Sequence, residues 1–138
     1  MKSGIMAICL LLAMVMPAKA DIDETDLYVL SHVINGEAAN CGWDMMISVG
    51  SVVLNRVNDD RFPGTIENVV FQQGQYSCTW DGNYYLEPSD EAIQAAEYLL
   101  DKGTQIDPSV VWQAEFPQGY GVYDTIQSPW GTTMYFCF

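Results

Sequence analysis

The segment from Trp43 to Val57 constrains the fold of this chain more than any other stretch of its sequence. Its spacing predicts a helix, and apolar residues cover most of the circumference of that helix. A helix that is apolar nearly all round is buried, so we expect this one at the centre of the fold. Gly50 in its middle permits a neighbouring backbone to approach closely. The apolar positions are Met45, Met46, Ile47, Val49, Val52, Val53, Leu54 and Val57.

The preceding helix, predicted from Asp26 to Asn40, carries an apolar stripe that a carboxylate interrupts. Leu27, Leu30 and Ile34 recur at steps of three and four, and the next step falls on Glu37. Two interpretations are open at this point. Glu37 lies at the edge of the stripe and its carboxyl reaches water, or it is held against apolar neighbours. In the second case its pKa rises toward the range that suits a general acid.

The rest of the chain predicts short elements. Thr65 is expected to cap a short helix that ends near Phe71. The runs Gln75–Trp80 and Asn83–Leu86 flank an Asp-Gly pair, which is a typical signal for a two-residue β-hairpin. Another helix is expected from Pro88 and Ser89 to Lys102 and Gly103, followed by two short strands between Val110 and Phe138. The prediction is therefore a mainly helical α+β domain.

The first twenty residues are expected to be a signal peptide that is removed. Lys2 gives a positive start, an apolar run follows, and Ala18-Lys19-Ala20 is typical of a cleavage site. The remaining residues, 21–138, form one domain with three basic and 18 acidic residues, a formal net charge of −15. Such a charge argues against binding to nucleic acid or anionic membranes, and no later segment is apolar enough for a membrane anchor. We expect a protein that works outside the cytoplasm.

The cysteines and the single histidine bound the chemistry further. Three cysteines follow the signal peptide, Cys41, Cys78 and Cys137, and an oxidising compartment predicts one disulfide between two of them, with the pair left open. His32 is the only histidine, so a zinc site and a histidine-dependent nucleophile are weak interpretations. We expect neither a metal nor another cofactor.

Aromatic residues after the third helix are candidates for a sugar-binding platform. Tyr76, Trp80, Tyr84 and Tyr85 crowd the predicted hairpin. Aromatics in such a place are often part of a core, but an exposed subset can stack on sugar rings.

Three longer segments make the chain similar to a known family. The segments "LSHVINGEAAN", "VGSVVLNRVNDDRFPGTIENVVFQQGQYSC" and "YGVYDTIQSPWGTTMYFCF" resemble the SleB/CwlJ-type cell-wall hydrolases, some of which lyse the spore cortex during germination. The resemblance implies a lysozyme-like fold in which Glu37 is the catalytic acid, at the end of a helix and beside a cleft. It also implies that Gln72, Gln75 and Ser77 lie near that cleft. We add Tyr76 and Trp80 as candidate substrate contacts.

The resemblance favours a lytic transglycosylase that acts on peptidoglycan glycan strands. Glycoside hydrolysis usually employs two carboxylates, and only Glu37 is evident in the sequence. One acid suffices if the C6 hydroxyl of N-acetylmuramic acid attacks C1 and gives a 1,6-anhydro product. The alternatives are a water-using muramidase or amidase on the same polymer, and a wall-binding protein without catalysis. The substrate can be spore cortex or vegetative wall.

Overall fold

The computed structural model describes residues 21–138, and the predicted signal peptide lies outside this part of the chain. None of the helices within residues 21–138 has the length and apolarity needed to cross a membrane. The helices are α1 (Glu24–Ala38), α2 (Trp43–Val57), α3 (Ile66–Val70), α4 (Cys78–Asp81) and α5 (Asp90–Lys102), with a 3₁₀ turn (Asn83–Tyr85) before α5; the strands are β1 (Trp112–Ala114), β2 (Val122–Gln127) and β3 (Thr133–Cys137).

Helix α2 is the central helix, as its sequence predicts. It packs against both α1 and α5, and most of its side chains are buried. Gly50 lies where these helices meet: a Cβ atom at this position would collide with Leu99 of α5 and would come within 2.8 Å of Cδ1 of Ile34. The glycine therefore allows the close approach that the sequence indicated.

Side-chain caps set the starts of three helices. Asp23 accepts hydrogen bonds from the backbone N–H groups of Thr25 and Asp26, so α1 begins at Glu24, two residues before its predicted start. Thr65 caps α3, as predicted, and Ser89, which was expected to open the next helix together with Pro88, is the cap of α5. The helix boundaries thus follow local chemistry that the sequence displays.

The hairpin predicted over Gln75–Trp80 and Asn83–Leu86 is wrong. This segment forms the single turn α4 and then the 3₁₀ turn, joined by Gly82 with a φ of 95°. The Asp-Gly pair still makes a turn, because the Asp81 carboxylate accepts a hydrogen bond from the Asn83 N–H at 2.9 Å. That turn chemistry serves a helical connection as well as a hairpin, and the burial of Tyr76, Cys78 and Tyr84 against the helices decides between them.

The C-terminal region forms three strands, one more than predicted. They make an antiparallel sheet in the order β1-β3-β2, with Phe136 of β3 opposite Gln113 of β1. Helix α2 holds the start of this region, since the Arg56 Nε donates to the Val111 carbonyl at 2.7 Å and the Asn55 amide donates to the Val110 carbonyl at 2.9 Å. The sheet is therefore fixed to the central helix at β1.

The predicted disulfide is not present. Cys41, Cys78 and Cys137 are all free thiols in the described chain. They lie in separate environments: Cys41 follows α1, Cys78 opens α4 against α1, and Cys137 ends β3. A disulfide needs two Cβ atoms about 3.5–4.5 Å apart, a geometry that cysteine count alone does not establish.

Candidate active site

Glu37 lies in the last turn of α1, and its carboxyl group meets the first turn of α4. Its side chain is partly buried, and its Oε1 accepts a hydrogen bond from the backbone N–H of Cys78 at 3.4 Å. The Cys78 thiol is a second hydrogen-bonding partner of the same carboxyl group. Glu37, which interrupts the apolar stripe of α1, thus has its carboxyl group against the backbone N–H and the thiol of Cys78.

Gly36 makes this contact between α1 and α4 possible. A Cβ atom at Gly36 would lie 2.7 Å from the Cβ and 2.9 Å from the Sγ of Cys78, closer than packed side chains tolerate. Only glycine lets α4 come so near to the end of α1. The order Gly-Glu in the sequence therefore places the carboxyl next to the helix that supplies its hydrogen-bond donors.

The surroundings of Glu37 raise the pKa of its carboxyl group. Burial is the main cause, because an ionised carboxylate is less stable away from water. The hydrogen bonds from the Cys78 thiol and N–H oppose this increase, the negative charge of Asp81 adds to it, and the positive charge of Arg56 reduces it slightly. Glu37 therefore holds its proton to higher pH than a free glutamate does.

A cleft of about 390 Å³ contains Glu37 and three of the predicted substrate contacts. Gln75, Ser77 and Trp80 line it from the segment around α4. Trp80 is 62% exposed, so its side chain is accessible to a ligand. The structure brings these side chains together with Glu37, and their contact with substrate stays a prediction.

Tyr76 and Gln72 do not line this cleft. The Tyr76 side chain is 1% exposed, and burial raises its pKa to about 12. Its ring lies under the Arg56 guanidinium, 5.2 Å from Cζ to the ring centroid. The Gln72 Oε1 is buried without a hydrogen-bond partner in the described chain. We therefore assign Tyr76 to packing behind the cleft, because a buried ring is not available for direct contact with a sugar.

Tyr84 and Tyr85, the other two candidate aromatics, lie on a different surface. They line a separate cavity of about 410 Å³ together with Tyr28, and neither of them lines the cleft with Glu37. Tyr84 is buried and Tyr85 is exposed. Of the four aromatics that the sequence singled out, only Trp80 is placed beside the candidate acid.

His32 is a packed residue and takes no part in the cleft. It is buried, its Nδ1 lies 2.7 Å from the Tyr28 carbonyl oxygen, and its ring stacks on Tyr28 at a centroid distance of 3.9 Å. Within residues 21–138 there is no cluster of three or more metal-ligating side chains.

Sequence reasoning missed the residues that the sheet contributes. One wall of the cleft is formed by the end of β1, by the two residues that follow it and by one residue of β3. Glu115 is one of the two residues after β1, and it is exposed. No local pattern marks them, because they come close to Glu37 only through the register of the sheet. These residues are Gln113, Ala114, Glu115, Phe116 and Met134.

Arg56 is a second feature that the sequence pattern hid. It is 3% exposed and has no carboxylate partner within the described residues, and its guanidinium lies between the rings of Phe62, Tyr76 and Trp112 at 5.1–5.5 Å. Stacking on aromatic faces stabilises such a buried cation. Arg56 thereby adds a fixed positive charge to the interior behind Glu37.

Sequence comparisons identify related proteins. A family model described as Cell Wall Hydrolase matches residues 42–115, more than half of the chain, and Glu37 lies just before this match. The spore cortex-lytic enzyme of Bacillus subtilis strain 168 is 30% identical over 105 residues, which are 76% of this chain and 32% of that protein. The spore cortex-lytic enzyme of Oceanobacillus iheyensis is 33% identical over 86 residues, 62% of this chain and 30% of that protein. The chain thus spans about a third of these relatives.

Solved structures share the fold. The catalytic domain of the germination-specific lytic transglycosylase SleB from Bacillus anthracis superposes with a TM-score of 0.65 at 19% identity, over 86% of this chain and 99% of that one. The catalytic domain of the Bacillus cereus SleB protein gives 0.64 at 20% identity, over 85% and 93%. These similarities confirm the predicted lysozyme-like, mainly helical α+β fold.

We predict that Gly36→Ala destabilises the protein although alanine is the better helix former. The added Cβ has to displace Cys78, and overpacking of this kind costs about 1–3 kcal/mol, against a gain of about 1 kcal/mol in helix propensity. Chemical unfolding measures the change, and exchange of the Cys78 amide hydrogen should become faster. Gly64→Ala is the control, because a Cβ there meets no atom within 4 Å. A Gly36→Ala protein that is as stable as wild type would show that α4 does not depend on this contact.

We also predict that Glu37→Gln raises thermal stability at neutral pH. Since the pKa of Glu37 is higher in the folded protein than its ordinary value of 4.5, wild type loses stability as pH rises through these values. Glutamine does not ionise and avoids that loss. The difference in Tm should shrink as pH falls below the ordinary value. Glu87→Gln serves as control, because Glu87 is exposed and lies outside the helices and strands. Equal Tm values for Glu37→Gln and wild type at neutral pH would contradict the raised pKa.

Proposed function

This chain belongs to the cell wall hydrolase family, and from that membership we propose that it is a secreted enzyme that cleaves the glycan strands of peptidoglycan. The observation that carries the proposal is Glu37, a carboxyl with a raised pKa in the wall of an open cleft. Glycosidic bond cleavage needs such an acid, since the leaving oxygen has to be protonated. The relatives named spore cortex-lytic enzymes make cortex a natural substrate, beside vegetative wall.

We propose a lytic transglycosylase reaction with Glu37 in two successive roles. Protonated Glu37 donates its proton to the oxygen that links N-acetylmuramic acid to N-acetylglucosamine, and the bond from C1 breaks. The resulting carboxylate then accepts the proton of the C6 hydroxyl as that oxygen bonds to C1, which gives a 1,6-anhydro sugar and restores the acid.

The environment of Glu37 suits both roles. Burial favours the neutral acid before cleavage, and the donors of Cys78 stabilise the carboxylate that forms after the proton has been transferred. A carboxyl buried without donors would ionise too reluctantly, and one in open water would lose its proton before cleavage. Helix α4 therefore contributes to the reaction through the hydrogen bonds from Cys78 to Glu37.

The polar and aromatic side chains beside Glu37 are proposed to bind the sugar rings. Trp80 offers an exposed aromatic side chain for stacking, and Gln75 and Ser77 offer an amide and a hydroxyl for hydrogen bonds to N-acetyl or hydroxyl groups. Sugar-binding sites combine such aromatic faces with a few polar groups.

A water-using muramidase is the second candidate. The presence of Glu115 in the same cleft favours it, because hydrolysis usually employs two carboxylates. The two reactions differ in their products: the transglycosylase releases 1,6-anhydro ends, and the muramidase releases reducing ends that borohydride converts to alditols.

We predict that Glu37→Gln abolishes cleavage and leaves the fold intact. Removal of a general acid lowers the rate by about 10²–10⁴-fold. Purified protein lacking residues 1–20 would be incubated with cortex and with vegetative sacculi, and the soluble fragments analysed by mass spectrometry. Wild type should release 1,6-anhydro muropeptides, which are lighter than reducing ones by one water molecule, and Glu91→Gln should match it. A Glu37→Gln protein that digests sacculi at a near wild-type rate would refute the assigned acid.

A wild-type protein that binds sacculi without releasing fragments would refute the enzymatic proposal altogether. Release of reducing ends alone would replace the transglycosylase reaction by hydrolysis and leave Glu37 as the acid.

A further inference from the structure

The cleft contains two carboxyl groups in contrasting environments. Glu37 comes from the end of α1, and Glu115 comes from the sheet side, directly after β1. Glu37 is partly buried and bonded to Cys78, whereas Glu115 is exposed and its carboxylate has no hydrogen bond or ion pair within residues 21–138. Paired carboxyl groups held in different surroundings commonly divide the roles of acid and anion between them.

The backbone that carries Glu115 is held in place. Ala114, its neighbour, pairs with Tyr135 of β3, and Gln113 pairs with the buried Phe136. The strand is tied to the central helix through the hydrogen bond from Arg56 to the Val111 carbonyl. Glu115 is therefore a free carboxylate on a fixed wall of the cleft, and no partner in the described chain neutralises it.

We propose that Glu115 is a second catalytic residue, an anion that lies against the sugar ring whose glycosidic bond Glu37 protonates. This inference rests on the proposed cleavage of glycan strands. As the bond from C1 to the leaving oxygen breaks, positive charge develops on C1 and the ring oxygen. A carboxylate carried near that charge by a fixed backbone lowers the energy of the transition state.

The cleavage reaction needs no reactant other than the glycan strand. The proton of Glu37 moves to the leaving oxygen, which keeps the electron pair of the broken bond. Glu115 stays ionised throughout, forms no covalent bond and contributes only its charge. The C6 hydroxyl oxygen then bonds to C1, and its proton returns to Glu37.

A different effect of Glu115 would follow if it were only one more charge on an acidic surface. Peptidoglycan carries carboxylates, so such a residue would weaken association with the substrate. Its removal would then lower KM and leave kcat unchanged. If Glu115 instead stabilises the transition state, its removal lowers kcat.

The test is a comparison of kcat and KM for wild type, Glu115→Gln, Glu115→Asp and Glu91→Gln on purified sacculi. Glutamine keeps the shape of the side chain and removes its charge, and aspartate keeps the charge. We expect kcat of Glu115→Gln to fall about 10–100-fold, less than for fully buried transition-state contacts because water reaches Glu115. Glu115→Asp should retain more activity than Glu115→Gln, and Glu91→Gln should match wild type. Both Glu115 variants should have a Tm close to that of wild type, because Glu115 is exposed.

A fall in kcat of less than about 10-fold for Glu115→Gln, or a Glu115→Asp protein no more active than Glu115→Gln, would overturn the proposal. This outcome is distinguishable from failure of the proposed function. If wild type cleaves sacculi and Glu37→Gln does not, the function stands whatever Glu115→Gln shows. If wild type releases no fragments, the function itself fails and Glu115 loses its role with it.

Discussion

The contact between Gly36 of α1 and Cys78 of α4 is the constraint on which the candidate site depends. It brings the backbone N–H and thiol of Cys78 to the Glu37 carboxyl and leaves the rest of the α4 segment beside it. Ser77 and Trp80, which flank Cys78 in the sequence, enter the cleft as a consequence. The close approach is itself supported from behind, because α1 lies in the core against α2 and α5. The architecture thus fixes one carboxyl group at the end of a buried helix.

Opposing effects then set the properties of that carboxyl group. Burial and the negative charge of Asp81 favour its protonated form, and the two donors of Cys78 and the charge of Arg56 favour the carboxylate. Burial is the largest of these effects, so the acid form gains. Arg56 is one of the few cations of this chain and lies in the interior, where it contacts aromatic rings. No carboxylate pairs with it in the described chain. A reaction that uses one residue as acid and then as base requires this kind of balance.

The sequence predicted the parts of the fold that depend on local chemistry. The bounds of α2 follow from its apolar circumference, and the starts of α3 and α5 follow from the caps Thr65 and Ser89. The hairpin prediction failed because an Asp-Gly pair makes a turn equally well between two strands and between two helical turns. Only the packing of this segment against the helices distinguishes these two structures. The disulfide prediction failed because a count of cysteines says nothing about the distances between them.

For the site, Glu37 was predicted because it interrupts a periodic pattern and matches a family motif. Glu115 has no such signal, since only the pairing of β1 with β3 brings it to the cleft.

A measurement of the Glu37 pKa in the folded protein tests most directly whether Glu37 is the acid of the cleft. Samples labelled with ¹³C at the glutamate side-chain carboxyl would be titrated by NMR, and the Glu37 signal would be assigned by its absence from Glu37→Gln. We predict a midpoint for Glu37 above its ordinary value of 4.5, because burial outweighs the hydrogen bonds from Cys78. A midpoint at or below 4.5 would contradict it, since Glu37 would then be an ordinary exposed or fully paired carboxylate and not the acid of the cleft.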